Sequence, residues 1–235
     1  MVGERDGVRE RVLALRPEPR GSRLRRLLRC EAVPRLAPLL DDLLTERQVA
    51  EAEWHFGVSF PTEYRDFLRE VGAGGFGPGT YGLDSLARRD SVWGWSESGA
   101  PDPVGPLLAR PFPTDEERAC WTRQLDDLED AARAAGEDGG DAAVRTAAAF
   151  RAAEDELYPA MTAGAIRLGH EGCGYYTWLV VTGEERGNLW SDPRASDQPL
   201  VPLGGERGGR TGFAEWYLTW LQETAPEAFP RALTP

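Results

Sequence analysis

The chain is 235 residues long and 41% hydrophobic, and it carries a formal net charge of −12 at pH 7. That length buries one sizeable core, with room for an appendage, and no apolar run approaches the roughly 18 residues of a membrane span. Cys30, Cys120 and Cys173 are odd in number, far apart and without a C-x-x-C pair, so they argue against a disulfide framework and a zinc knuckle and read as buried thiols.

The Arg-rich start has no apolar block followed by a small-residue cleavage site, so the expected compartment is the cytoplasm. All 27 cationic side chains are Arg, a pattern that fits codon bias in a GC-rich genome better than function. Charge is uneven. Residues 1–35 hold ten Arg against five acids, a net +5, which leaves −17 on the other 200 residues. An acidic body repels nucleic acid and favours a basic partner through long-range steering.

In chain order, Asp6 to Leu15 places Val8, Val12 and Leu15 on one helical face. Ser22 to Cys30 repeats the pattern with Leu24, Leu27 and Leu28, and Leu36, Leu39, Leu40, Leu43 and Leu44 fit a short helix entered after Pro34. Residues 1–43 therefore read as a helical extension. Thr45 opens the next unit with a capping box to Gln48, with Leu44 and Val49 as the hydrophobic staple. Val49, Ala52 and Phe56 face inward, and Gly57 stops the helix. Pro61 is placed for a first helical turn, after which Tyr64, Phe67, Leu68 and Val71 keep i, i+3, i+4, i+7 spacing. The glycine-rich 73–82 stretch follows a helix and has no Lys, so it reads as a turn rather than a phosphate cradle. From Ser85 to Phe112 the text is loop-like, with prolines at 101, 103, 106, 111 and 113 and with Trp93 and Trp95 among Ser and Gly.

Thr114 and Glu117 form a second capping box. Trp121, Leu125, Leu128, Ala132 and Ala135 then make one narrow apolar stripe, and 141–158 is an Ala-rich second arm. The segment at about 114–158 reads as a helical hairpin inserted into a sheet domain that spans 44–225, with 226–235 as a tail. Tyr175 to Thr182 is aromatic and β-branched between glycines, which reads as a buried strand. Asn188 to Ser191 is its return partner across a Gly183–Gly187 loop. Trp178, Leu179, Val180 and Val181 put apolar groups on both faces, as in a central strand. Leu200 to Gly212 reads as a loop. The closing helix presents Phe213, Trp216, Tyr217, Trp220 and Leu221 on one broad face.

Chemistry is sparse. The nearest nucleophile pair is His170 and Cys173 in HEGCG, which lacks a third orienting group and reads as a structural turn. A hydrolase using the two is the least favoured reading. The second His of an H-E-x-x-H motif would be Gly174. No nucleophile elbow, dinucleotide fingerprint or kinase set occurs. No enzyme signature is present, and no catalytic residue, cofactor or metal is expected.

Four stretches resemble the SMI1/KNR4 family, also called the SUKH superfamily. They are LTERQVAEAEWHFGVSFPTEYRDFL from Leu44, VGAGGFGPGTYGLDSL from Val71, GHEGCGYYTWLVVTGEERGNLWSD from Gly169 and GFAEWYLTWL from Gly212. The resemblance implies an α+β fold with helices around a curved, mainly antiparallel sheet. It also implies a protein-binding role: bacterial members look like immunity proteins that neutralise toxins, many of them nucleases, and fungal relatives look like regulatory scaffolds. The leading expectation is a cytoplasmic immunity protein that occludes a cognate toxin, without direct contact to nucleic acid or membrane. The alternative is a regulatory scaffold binding host proteins. The expected contacts are Trp93 and Trp95 as loop-borne aromatic anchors, with Glu171, Glu184, Glu185 and Asp192 as acids at turns of the hairpin.

Overall fold

A computed structural model describes residues 7–15, 39–96, 105–204 and 209–224. Within them the chain is α+β, with six α-helices and two antiparallel sheets. The helix expected over Ser22–Cys30 lies outside the described residues.

Helix α1 (Val8–Ala14) buries Val8 and Val12, as its spacing predicts. The Arg9 guanidinium donates to the carbonyl of Val71 and, at 3.4 Å, to that of Asp41. The helix is thereby held against the end of α3 (Thr62–Glu70).

The short leucine helix is corrected in its described part. Residues 39–45 are not helical; Leu40 forms an antiparallel bridge with Gly75. The amides of Asp41 and Phe76 donate to Gly74 and Leu39 carbonyls, and that of Ala73 donates to Asp42. This pairing competes successfully with helix formation because the glycine loop lets two backbones touch. A Cβ on Gly75 would stand 2.6 Å from the Leu39 carbonyl oxygen.

Helix α2 (Glu46–Phe56) starts with the expected capping box. The Gln48 amide donates to Thr45 Oγ1 at 3.3 Å, and the Thr45 amide donates to Gln48 Oε1 at 2.9 Å. Val49, Ala52 and Phe56 are buried, and Gly57 closes the helix at φ 68°. In α3 the buried set is Tyr64, Phe67 and Leu68, with Val71 buried just beyond.

The region read as a loop from Ser85 contains a two-stranded hairpin, β1 (Ser85–Arg89) and β2 (Val92–Ser96). Its turn residues, Asp90 and Ser91, both take positive φ, 48° and 70°. That is the backbone of a tight hairpin turn whose twist matches its strands. No glycine or Asn-Gly marks it in the sequence.

Helices α4 (Asp115–Asp138) and α5 (Gly140–Ala160) form the helical hairpin. Thr114 and Glu117 make the second capping box, and Trp121, Leu125, Leu128, Ala132 and Ala135 are the half-buried side of α4. No described side chain from 119 to 159 is fully buried. At 1.5 Å per residue α4 is about 36 Å long, so the pair forms an arm beside the core.

The second sheet runs in the order β3 (Ala165–Gly172), β4 (Tyr175–Val180), β5 (Leu189–Asp192), β6 (Val201–Pro202), all antiparallel. Strand β4 is interior, and Trp178 to Val181 are at most 7% exposed. The loop back to β5 uses Gly183 and Gly187 at φ 102° and 95°. Strand β6 falls within the stretch read as loop, and Pro202 is tolerated there because β6 has one strand neighbour. Helix α6 (Phe213–Thr224) buries Phe213, Tyr217 and Leu221, with Trp216 and Trp220 half-buried.

A continuous aromatic cluster joins these layers: Phe56, Phe60, Tyr64, Phe67, Trp95, Phe213 and Tyr217, with ring centroids 4.6–6.4 Å apart. Burial pushes the Tyr64 and Tyr217 phenols well above their ordinary range.

One backbone position is exacting. Gly164, at φ 69°, precedes β3 and accepts hydrogen bonds from the Val181 and Thr182 amides. A Cβ there would lie 2.4 Å from the Arg110 carbonyl oxygen and 2.7 Å from the Phe112 nitrogen. The left-handed backbone alone costs an L-residue about 1–2 kcal/mol, and backbone atoms cannot step aside. Gly164→Ala is therefore expected to lower the urea midpoint by more than that strain accounts for.

Candidate functional site

The structure separates the six residues named from the sequence. Trp93 and Trp95 lie not on a loop but on β2, 5% and 1% exposed. Alternation along the strand turns both inward, while Val92, on the other face, is 56% exposed. Their role as aromatic anchors for a partner is corrected: both are core residues. Asp192 is corrected in the same way. It is 2% exposed and ion-paired with Arg194 at 2.7 Å, and it accepts from Trp178 Nε1 at 3.1 Å.

Glu171 is half-buried and accepts from the Thr80 amide at 3.2 Å and from Thr177 Oγ1 at 2.9 Å, which pins the glycine loop to β3. Glu184 is exposed in the β4–β5 loop. Glu185 beside it is half-buried in a bidentate contact with Arg210 and accepts from Asn188 Nδ2. The hydrogen bond from Arg210 is the main reason its carboxyl is held below the usual range. Glu171 and Asp192 thus sit near one end of β4, and Glu184 and Glu185 near the other.

The thiols need correction too. Cys120 and Cys173 are exposed, and Cys30 lies outside the described residues. Cys120 falls off the apolar stripe of α4. Cys173, at φ 51°, occupies the tight β3–β4 turn together with Gly174. His170 stacks on Tyr81 and on Tyr176, with centroids 5.2 and 5.0 Å away.

Among the described residues two aromatic side chains are strongly exposed. Trp54, on α2, is 86% exposed. It borders a cleft formed with His55, Phe56, Gly57, Pro106 and Ala109. The sequence reading missed it, although residue 54 is out of phase with Val49, Ala52 and Phe56, a signal that could have found it. Tyr81, in the glycine loop, is 62% exposed, and with His170 and Tyr176 it forms a stacked ridge across the edge of the sheet. The Arg167 guanidinium sits over Tyr176, 5.3 Å from the ring centroid, while pairing with buried Asp84 at 2.7 Å. No sequence signal marks Tyr81, because its stacking partner is 89 positions away.

The third exposed feature is the α4–α5 arm. Residues 115–160 hold 13 acids and five Arg, a net −8. Among the described residues no group of three or more His, Cys, Asp or Glu could hold a metal ion, and no helix is long and apolar enough to cross a membrane.

Because Trp54 contributes almost nothing to the core, Trp54→Ala is expected to change stability by no more than about 0.5 kcal/mol. Equilibrium urea denaturation checks this, and a large loss would show the indole to be structural.

These features define a class: an α+β protein whose exposed chemistry is aromatic and acidic surface. The chain belongs to the SMI1 / KNR4 family (SUKH-1), whose family model matches residues 43–193. Comparison with curated proteins found no match, and comparison with solved structures found none.

Proposed function

We propose that this chain is a non-catalytic, cytoplasmic binding protein that neutralises a cognate toxin by covering it. Family membership over 43–193 carries this reading, because the family resemblance implies immunity proteins and brings no catalytic residues with it. Three surface features support it: an exposed Trp, an exposed Tyr backed by a rigid stack, and an acidic arm. Trp, Tyr and Arg dominate the energetics of protein interfaces, and a net charge of −12 steers a basic partner inward.

In this reading residues 44–225 form the binding domain, with 114–158 inserted as a charged arm, 1–43 as an extension and 226–235 as a tail. Partner contacts pass from the buried Trp93, Trp95 and Asp192 to Trp54, Tyr81 and the exposed acids, Glu184 among them. Co-expression with a toxin encoded beside this protein is expected to rescue growth, and a stoichiometric complex should co-purify. Unrescued growth, or the absence of any neighbouring toxin, overturns the reading.

A further inference from the structure

We propose that the outward face of Tyr81, in the loop that Glu171 holds through the Thr80 amide, seats a guanidinium or ammonium side chain of the partner. The proposal rests on the binding role above and gives that role a face and a chemistry.

Tyr81 is 62% exposed although its ring is stacked on His170 at an interplanar angle of 18°. One ring face is therefore covered, and the exposure belongs to the other face, the edge and the hydroxyl. The negative face of an aromatic ring attracts a cation, and the same ridge already holds one, since Arg167 lies over Tyr176.

The seat is built rather than loose. The Thr80 amide is tied to Glu171 Oε2, and the next residues pass close to other backbone: a Cβ on Gly82 would stand 2.5 Å from the Gly75 carbonyl oxygen. The Tyr81 ring lies 3.9 Å from where a Cβ on Gly172 would be, one residue from Glu171. Little ordering is left to be done on binding. The Glu171 carboxylate holds the loop in place by accepting from the Thr80 amide and from Thr177 Oγ1. A stacking base is the competing occupant of any aromatic ridge. Here the −17 carried by residues 36–235 repels its phosphates, so a cationic protein side chain is the occupant.

The chain has two His, so the His170 ring signals can be assigned by NMR against a His55→Gln variant. Titrating the full chain with acetylated hexa-arginine is expected to shift the His170 ring protons saturably, and hexa-citrulline is expected to leave them in place. Tyr81→Leu keeps bulk but removes the ring, and should weaken the apparent affinity at least fivefold. Tyr81→Phe should bind as wild type, which also controls for folding. Hexa-arginine that binds without shifting His170, or binds Tyr81→Leu unchanged, places the cation on the acidic arm and overturns the seat. Failed toxin rescue with an intact His170 response would reject the toxin reading alone. Rescue by a protein lacking that response would reject the seat alone.

Discussion

Replacing Trp95 with alanine is expected to cost about 3–5 kcal/mol of folding stability, the range for deleting a large aromatic side chain from a core. The indole is 1% exposed and stacks on Phe56 at 4.6 Å, with Phe60 edge-on at 5.8 Å. Its Nε1 donates to the Tyr64 hydroxyl at 2.8 Å. Truncation therefore removes dispersion contacts from α2 and leaves a buried phenol oxygen without its donor, a further cost because nothing replaces the bond. For a chain of this size each kcal/mol moves the melting temperature by about 2–4 °C, so the loss should be about 6–20 °C. Trp95→Phe should recover most of the packing but not the hydrogen bond. Urea denaturation of both variants checks the ranking. A Trp95→Ala protein of unchanged midpoint that no longer binds its partner would restore the residue as a surface anchor.

The two tryptophans illustrate what the sequence discloses. Local grammar was legible: both capping boxes, the α3 stripe from Tyr64 to Val71, and the half-buried line from Trp121 to Ala135 emerge as read. Each depends on residues within a few positions of one another. The β1–β2 hairpin was not legible, because its turn takes two positive φ values with Asp90 and Ser91 instead of the usual glycine or Asn-Gly. Prolines downstream reinforced the loop reading. Residues 39–44 have helical spacing, yet their backbone pairs with glycines some 30 positions later, which no local window contains.

The candidate site divides along the same line. Trp54 stands off its helix's apolar phase, a signal present in the sequence but passed over in favour of Trp93 and Trp95. Tyr81 owes its importance to His170, across the sheet. Charged residues deceived in the opposite direction. Glu171, Glu185 and Asp192 read as surface acids at turns, but each is occupied by a hydrogen-bond donor from within the chain. Only Glu184 among the four acids keeps the exposure assumed for it.

Asp192→Ala should be the most damaging change among those acids, at about 3–5 kcal/mol, because it strands a buried guanidinium. Asp192 and Arg194 have side chains 3% and 10% exposed. The carboxylate accepts from Arg194 Nε and Nη2, both at 2.7 Å, from the Arg194 amide at 3.2 Å, and from Trp178 Nε1 at 3.1 Å. Arg194 in turn donates to the Tyr158 carbonyl at 2.8 Å and lies 3.8 Å over the Tyr158 ring, close to where α5 ends. On the hairpin's other leg, Arg118 near the start of α4 is buried over Trp190, 4.5 Å from the ring centroid. Trp190 and Asp192 are two apart on β5, hence on one face of the sheet, so a single strand face anchors both legs of the acidic arm at its base. Arg194→Ala alone should cost less than Asp192→Ala, because the carboxylate keeps its bonds from Trp178 and from the backbone amide. The double variant should cost less than the two singles summed, by about 0.5–3 kcal/mol, as for residues in one network. Denaturant titration followed by far-UV circular dichroism measures all three. Strict additivity would mean that the pair does not hold the arm, whereas the expected coupling would assign Asp192 to the scaffold and leave recognition to the surface the arm presents.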